Sequence, residues 1–460
     1  MNTVDYTRDE ALNAIIHAAL GRADSAGIIA RCVSVCDNTL EVTTEFEQLR
    51  FDLSAFDRVL VLGIGKAAAR MARALEEVLG ERIGGGVVVT KYGHAEPLSR
   101  VELIEAGHPV PDEAGVRAAR RMAAVLEGAD ERTLIVSVIS GGGSALLVDP
   151  FHDETHELSL EDVQEVTRLL LSSGATIQEI NCVRKHLSNV KGGRLARLMA
   201  PATSVNLILS DVVGDEPASI ASGITAADPT TYAEAYEITA RYEVLDVLPA
   251  AARAIISDGA EGAIPETPSA SEAIFDSVHN VIVGSNTQAL QAAAAAARSA
   301  GYTTFVLTAR LVGEAREAGK IFPGIARDIR ETAMLSPAPV CVLAGGETTV
   351  TIRDESGHGG RNQELALSVL EEWSKAVESY RGCRFASVAT DGNDGPTDAA
   401  GGLVDDEIAA RAAEDRSSLR RALEHNDSYA YLDSHGALLR TGPTNTNVCD
   451  IQILLVDDTL

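Results

Sequence analysis

Six segments of the 460-residue chain combine glycine with charged or hydroxyl side chains in patterns that suit chemistry on an anion. In VLVLGIGKAAARMARALEEVLG (59–80), Gly63, Gly65 and Ala68 fit the loose G-x-G-x-x-G/A pattern, in which amides at a helix start face a phosphate. Lys66 lies in that turn. The helix dipole disfavours a cation there by about 0.3–1 kcal/mol, so the lysine is either solvated or kept for a bound anion. In ISGGGSALL (139–147), Gly141, Gly142, Gly143 and Ser144 allow successive amides to curl into an anion nest. The segment is no nucleophile elbow, because Leu146 stands where G-x-S-x-G needs glycine, and no Walker A loop occurs in the chain.

INCVRKHLSNVKGGRLA (180–196) gathers Arg184, Lys185, Lys191 and Arg194 around Gly192 and Gly193, the most basic patch of an acidic chain, and suits a carboxylate or a phosphate. LILSDVVGDEPASIASG (207–223) sets Asp211 and Asp215 just past an apolar run, where each could hold a metal, accept a hydroxyl proton or cap a helix. Further on, LAGGETTVTI (343–352), with Glu347, leads to GHGGRNQELAL (357–367). There Gly359 and Gly360 open a helix with Arg361 at its mouth and Asn362 next to it, an arrangement for phosphate. ATDGNDGPTDAAGG (389–402) offers Asp391 and Asp394 in a turn-rich loop. The loop fails the EF-hand spacing at Gly402, so its carboxylates suit magnesium shared with nucleotide phosphates, or simply shape turns.

These segments need strands to carry them. Apolar, β-branched runs predict strands at 59–63, 86–90, 101–105, 133–139, 204–209, 280–283, 303–308, 339–344, 384–389 and 451–456, alternating with alanine-rich helices. Most lead directly into glycine, serine or aspartate, and the carboxyl ends of strands are where open α/β sheets bind ligands. The Gly-, Pro- and Ser-rich stretch 257–271 reads as a linker, which gives two domains at 1–270 and 275–460. The six cysteines include no C-x-x-C pair; Cys32 and Cys36 are expected on one helix face, and all six as buried small hydrophobes.

The net charge of −28 is spread along the chain, and only six residues are lysine. Such a surface suits molar salt, where the Debye length is about 3 Å and self-repulsion is screened. It disfavours nucleic acid and anionic membranes as partners, since both need clustered positive charge. The polar start of the chain, without the pattern of a signal peptide, and the absence of a long apolar run lead to the expectation of a cytoplasmic protein.

The phrases GIGKAAARM, VTKYGH, EAGHPVPDEAG, SGGGSALL, RKHLSNVKGGRLA, SDVVGDEPASIASG, GHGGRNQELAL, TDGNDGPTDAAGG and GPTNTNVCDI resemble, in order from Val59 to Ile451, those of the glycerate 2-kinases. Members of that family are also catalogued as hydroxypyruvate reductases. The resemblance implies an α/β fold with a Rossmann-like N-terminal domain, a smaller C-terminal α/β domain of MOFRL type and an active site in the cleft between them. It also implies catalytic roles for Lys66 and Arg361. The chain departs from the family at Val213 and Ile224, where proline is expected, and at Asn445 and Cys449, where glycine and asparagine are commoner.

The reaction so implied moves the γ-phosphoryl group of ATP to the 2-hydroxyl of D-glycerate, with Mg²⁺ bridging phosphates. Lys66 and Arg361 offset charge, Arg184 and Lys191 hold the glycerate carboxylate, and Asp211, or else Asp394, activates the hydroxyl. Asp215, Asp391 and Asp394 are the candidate metal ligands. D-glycerate and ATP are the expected partners of a monomer or homodimer. The rival reading, an NAD(P)H-dependent hydroxypyruvate reductase, lacks the ribose-binding acid after the second strand, where Thr90 and Lys91 stand. The charge yields a first prediction. Between dilute buffer and molar potassium chloride the melting temperature should climb steeply; a salt series of thermal melts showing no change would refute adaptation to salt.

Overall fold

A computed structural model describes residues 6–354 and 356–458. All ten predicted strands form, with ends displaced by three residues at most. The chain divides into a central unit, Ser25–Val283, and a terminal unit made of the residues up to Asp24 together with those from Gly284 on.

The central unit begins with a small antiparallel sheet, β1 (Val33–Cys36), β2 (Thr39–Thr43) and β3 (Gln48–Asp52), which periodicity did not reveal. Its strands are short and half exposed, so they lack a long apolar run. Cys32 ends a helix and Cys36 ends β1, where it is exposed; the two share no helix face. The main sheet contains β4 (Arg58–Ile64), β5 (Ile83–Lys91), β6 (Glu102–Ala106), β7 (Thr133–Ile139), β8 (Thr203–Leu209) and β9 (Val278–Gly284), in the order β6-β5-β4-β7-β8-β9. The pairings from β6 through β8 are all parallel. Helices such as Ala68–Leu79 and Glu113–Leu126 cover the sheet, which is why β4 and β7 are continuous apolar runs buried on both faces. A separate helical layer, including Leu160–Ser172, Ile177–His186 and Tyr232–Arg241, packs around the buried Tyr232.

The terminal unit is a mixed sheet of β10 (Thr303–Leu311), β11 (Val340–Gly346), β12 (Cys383–Ala389), β13 (Gly401–Asp405), β14 (Leu438–Leu439) and β15 (Asp450–Val456), ordered β10-β11-β15-β12-β13-β14. Only β10 and β11 are parallel; β15 lies antiparallel between β11 and β12. The helix Arg361–Trp373 is buried on nearly every side, and Trp373 stacks on Tyr380.

These units differ from the expected 1–270 and 275–460. The helix Glu10–Ala23 belongs with the C-terminal half: it repeats Leu12, Ile15, Ile16, Ala19, Leu20 and Ala23 on one stripe and packs on the helix Asn286–Ser299. The stretch 257–271 is not the break, because Asp228 pins it inside the central unit. The Thr267 hydroxyl donates to the Asp228 carboxylate, and the Asp228 amide donates to the Pro268 carbonyl. β9 likewise closes the sheet of the central unit, so the change falls after it. Among the described residues no helix is long and apolar enough to cross a membrane.

Candidate active site

In the central unit the connections after β4 and after β7 leave in opposite directions, so the order of strands reverses between two hydrogen-bonded neighbours. Ligands of open α/β sheets bind at such a point. Here the two loops are tied together. The Ser140 amide donates to the Ile64 carbonyl, the Lys66 amide to the Gly141 carbonyl (2.9 Å) and the Ala67 amide to the Ser140 hydroxyl (3.0 Å). Gly65 makes this possible: its φ is +130°, and a Cβ on it would lie 2.3 Å from the Ser140 Oγ.

The Gly141–Ser144 nest faces this crossing. Among the described residues its four amides meet no protein acceptor, whereas the Gly141 carbonyl is used by Lys66. Gly142 has φ +84°, and its bare Cα is packed by the stems of Lys66 and His108; an added Cβ would sit 3.1 Å from the Lys66 Cγ and 2.9 Å from the His108 ring. Asp211 lies against Gly141, where an added Cβ would meet its Oδ2 at 1.7 Å. Burial pushes the Asp211 carboxyl up and the Lys66 charge pulls it back. His108 is driven down to about 4, by burial first and then by Lys66, Lys91 and His94, so it is neutral near pH 7. Burial and Lys91 depress His94 as well.

A cavity of about 430 Å³ opens beside the nest, lined in part by His108, Gly142, Ser144, Arg184 and Lys191. Lys191 is 4% exposed; its ammonium donates only to the Leu147 carbonyl, and burial, followed by Arg184, brings it down to about 7. Arg184 is half-buried and, among the described residues, forms no ion pair. Arg184, with no ion pair, and Lys191, with only the half-buried Asp149 carboxylate near it, share one cavity wall that suits an anion. Ser144 Oγ is 2.7 Å from Ser222 Oγ, which donates to the Asn181 side chain. Ser222 and Ala221 both take left-handed backbone, φ 57° and 50°, a strained pair for residues other than glycine.

Three expected ligands of this segment serve the fold instead. Lys185, one residue along the helix from Arg184, turns away into a buried ion pair with Asp228 (3.0 Å). The amides of Gly192 and Gly193 donate to the Ser222 and Gly223 carbonyls and so tie the Lys191 loop to the strained turn.

In the terminal unit the helix opened by Gly359 and Gly360 carries Arg361 at its mouth, but protein groups fill the expected phosphate place. The Asp394 carboxylate accepts from the amides of Asn362 (3.0 Å) and Gln363 (2.8 Å). Gly360 is bare because a Cβ would lie 2.3 Å from the Asp394 carboxyl carbon. Burial raises Asp394 to about 6 against the pull of those amides. Arg361 is gripped bidentately by Asp450, Nε to Oδ2 at 2.5 Å and Nη2 to Oδ1 at 3.0 Å, and Nη1 reaches Glu347 at 2.8 Å. Burial opposes its charge, but the two carboxylates outweigh that and hold it firmly protonated. Asn362 is 1% exposed and accepts from the Ser387 hydroxyl, so it too is internal.

The aspartates expected at a metal are not clustered: no three His, Cys, Asp or Glu side chains among the described residues could share an ion. Asp394 is a helix cap. Asp391 is half-buried and accepts from the Asn393 amide, and Asp215 sits in a turn at φ 59°. Asn445 and Cys449 also have left-handed φ, 56° and 65°, which accounts for glycine and asparagine being commoner there. Lys91, His94, His108, Asn181, Ser222 and Asp450 were not foreseen. Lys91 ends β5, and His94 and His108 follow β5 and β6, within VTKYGH and EAGHPVPDEAG, so strand ends could have flagged them; for Asp450 the only hint is an acid opening an apolar strand.

Two family models match the chain: DUF4147, described as a domain of unknown function, over residues 11–257, and the MOFRL family over 340–450. Together they define a two-part α/β class. The chain is 40% identical to the glycerate 2-kinase of Pyrococcus horikoshii over 96% of both chains. It is 42% identical to the D-glycerate 2-kinase of Thermotoga maritima over 87% of this chain and 91% of that one. A relative from Agrobacterium vitis with a provisional hydroxypyruvate reductase name is 44% identical over 87% of each. The crystal structure of a glycerate kinase from Thermotoga maritima superposes with a TM-score of 0.81 at 37% identity, covering 96% of this chain and 97% of that one. The chain belongs to the glycerate 2-kinase family.

Two stability predictions follow from the buried charges. Arg361→Met leaves Asp450 buried and unpaired and should cost about 3–5 kcal/mol, contrary to what an exposed arginine would give; denaturant melts check it. Lys191 binds fewer protons folded than unfolded between pH 7 and the ordinary lysine range, so its contribution makes stability rise with pH across that window. Melts of Lys191→Met should lack this rise, and an identical pH profile in the variant would rule out a buried, depressed lysine.

Proposed function

We propose that this protein is a glycerate 2-kinase, transferring the γ-phosphoryl group of ATP to the 2-hydroxyl of D-glycerate and releasing 2-phosphoglycerate and ADP. One observation carries the reading most: the crossing of the β4 and β7 loops joins Lys66, four unused amides and the Asp211 carboxylate at one place. In-line phosphoryl transfer asks for these groups, a cation and preorganised donors for the equatorial oxygens and a carboxylate for the hydroxyl proton. Arg184 and Lys191 take the glycerate carboxylate, and Asp211 orients the 2-hydroxyl and receives its proton. Lys66 and Arg361 serve the same phosphoryl group, the latter with its two remaining N–H donors.

Magnesium, carried by the nucleotide, offsets charge on the β- and γ-phosphates; a site of one or two carboxylates completed by phosphates is enough for it. Asp391 and Asp215 are its proposed ligands, and Asp394, with both oxygens on helix amides, is withdrawn from that set. The dispersed acidic charge supports work in a salt-rich cytoplasm. The reductase reading is disfavoured because β5 ends in Lys91, so the ribose hydroxyls of a dinucleotide would meet a cation where they need an acid.

Incubation with D-glycerate, ATP and Mg²⁺, followed by phosphorus NMR, should give the 2-phosphoglycerate signal, and hydroxypyruvate should leave NADH unoxidised. Steady NADH oxidation without ATP turnover would replace this reading with the reductase. Lys66→Met should lower kcat by about 10²–10³ while the protein stays folded. Combined with Arg361→Lys, it should fall short of the product of the two single effects, as groups on one charge do; fully multiplicative losses would mean that the two residues act on separate steps.

A further inference from the structure

The cavity beside Arg184 is larger than a three-carbon acid requires. Its volume of about 430 Å³ lies in the range that encloses drug-sized ligands. Its two ends differ in chemistry. At one end stand Arg184, Lys191 and Ser144, with the Asp149 carboxylate beside Lys191; from there the wall continues over Val163, Leu171 and Val110, and the charged side chain on that side, Arg168, is paired with Glu165. Leu171 and Val110 are 61% and 62% exposed, so this arm opens to solvent and sets no limit on the length of its occupant. A ligand that satisfies both ends has a carboxylate at its head and an apolar body beyond it.

Resting on the kinase reading above, we propose that the acceptor site binds 2-hydroxy acids with an apolar or aromatic substituent at C3, the carboxylate on Arg184 and Lys191 and the substituent in the Val163–Leu171 arm. The arm is built for more than the hydroxymethyl group of glycerate. Transfer to such an acid is the same step: the 2-hydroxyl oxygen forms its bond to the γ-phosphorus as the bond to the bridging oxygen breaks, the proton passes to Asp211, and ADP leaves. The apolar contact should tighten binding about fourfold for each methylene fully buried.

Calorimetric titration of D-lactate, D-2-hydroxybutyrate, D-2-hydroxy-4-methylpentanoate and D-3-phenyllactate, alongside D-glycerate, tests the arm, with ADP release measured for each acid. The dissociation constant should fall along the series. In Leu171→Asp and Val110→Asp, both at exposed positions, it should rise about tenfold more for phenyllactate than for glycerate. Affinity that is flat or falls as the substituent grows overturns the proposal, as does a variant that weakens all the acids equally. Phosphorylation of glycerate with no binding of the larger acids sinks this inference alone. A rising series with no ADP release from any acid, glycerate included, upholds the ligand class and removes the kinase reading instead.

Discussion

The central unit depends on how closely the chain leaving β4 passes the chain leaving β7. With Gly65 against the backbone of Ser140, no side chain fits between the loops, and three hydrogen bonds fix their register. Lys66, His108 and the Gly141–Ser144 amides are all positioned by that crossing. Because the Gly141 carbonyl is turned toward Lys66, the amides that follow it point the other way and stay available. Because Gly142 lacks a side chain, Lys66 and His108 lie on its Cα and converge on the same few ångströms. The sheet places the crossing, and the glycines permit it.

The terminal unit solves a similar problem in the opposite manner. Its helix start has the positive end of a dipole and a guanidinium, yet Asp394 and Asp450 already answer both from inside the fold. The cost of burying two carboxylates is met by giving each several donors, and the result is an arginine whose orientation is set before any ligand arrives. A free guanidinium on a long stem loses rotamer freedom when it binds; one held at three of its five donors has little left to lose.

Much of this was legible in the sequence, because buried parallel strands are continuous apolar runs and each catalytic candidate follows one. The ten strands stand where the pattern put them, and the Gly141–Ser144 turn directly follows one of them. What stayed hidden was the direction of individual side chains. Arg184 and Lys185 are neighbours in sequence but about 100° apart on a helix, and only one of them lines the cavity. Asp391 and Asp394 look alike in a turn-rich loop, but whether a carboxylate caps a distant helix is decided by partners some thirty residues away. The half-exposed strands β1–β3 and the placement of the first helix were illegible for a related reason: their patterns are amphipathic enough to pack, but do not say on what.

That first helix has a consequence for how the protein is made. Its apolar stripe is complete once Ala23 is synthesised, yet its packing partner, Asn286–Ser299, emerges more than 260 residues later. At about 5–20 residues per second, the ribosome needs roughly 13–55 s to supply that partner. Only at the end of that time does the central unit have its whole sequence, and until then the first helix carries an uncovered apolar face. The nascent chain therefore carries an uncovered apolar stripe long before its partner exists, and β15, made after the other fourteen strands, is the one that lies in the middle of the sheet completing the unit to which that helix belongs.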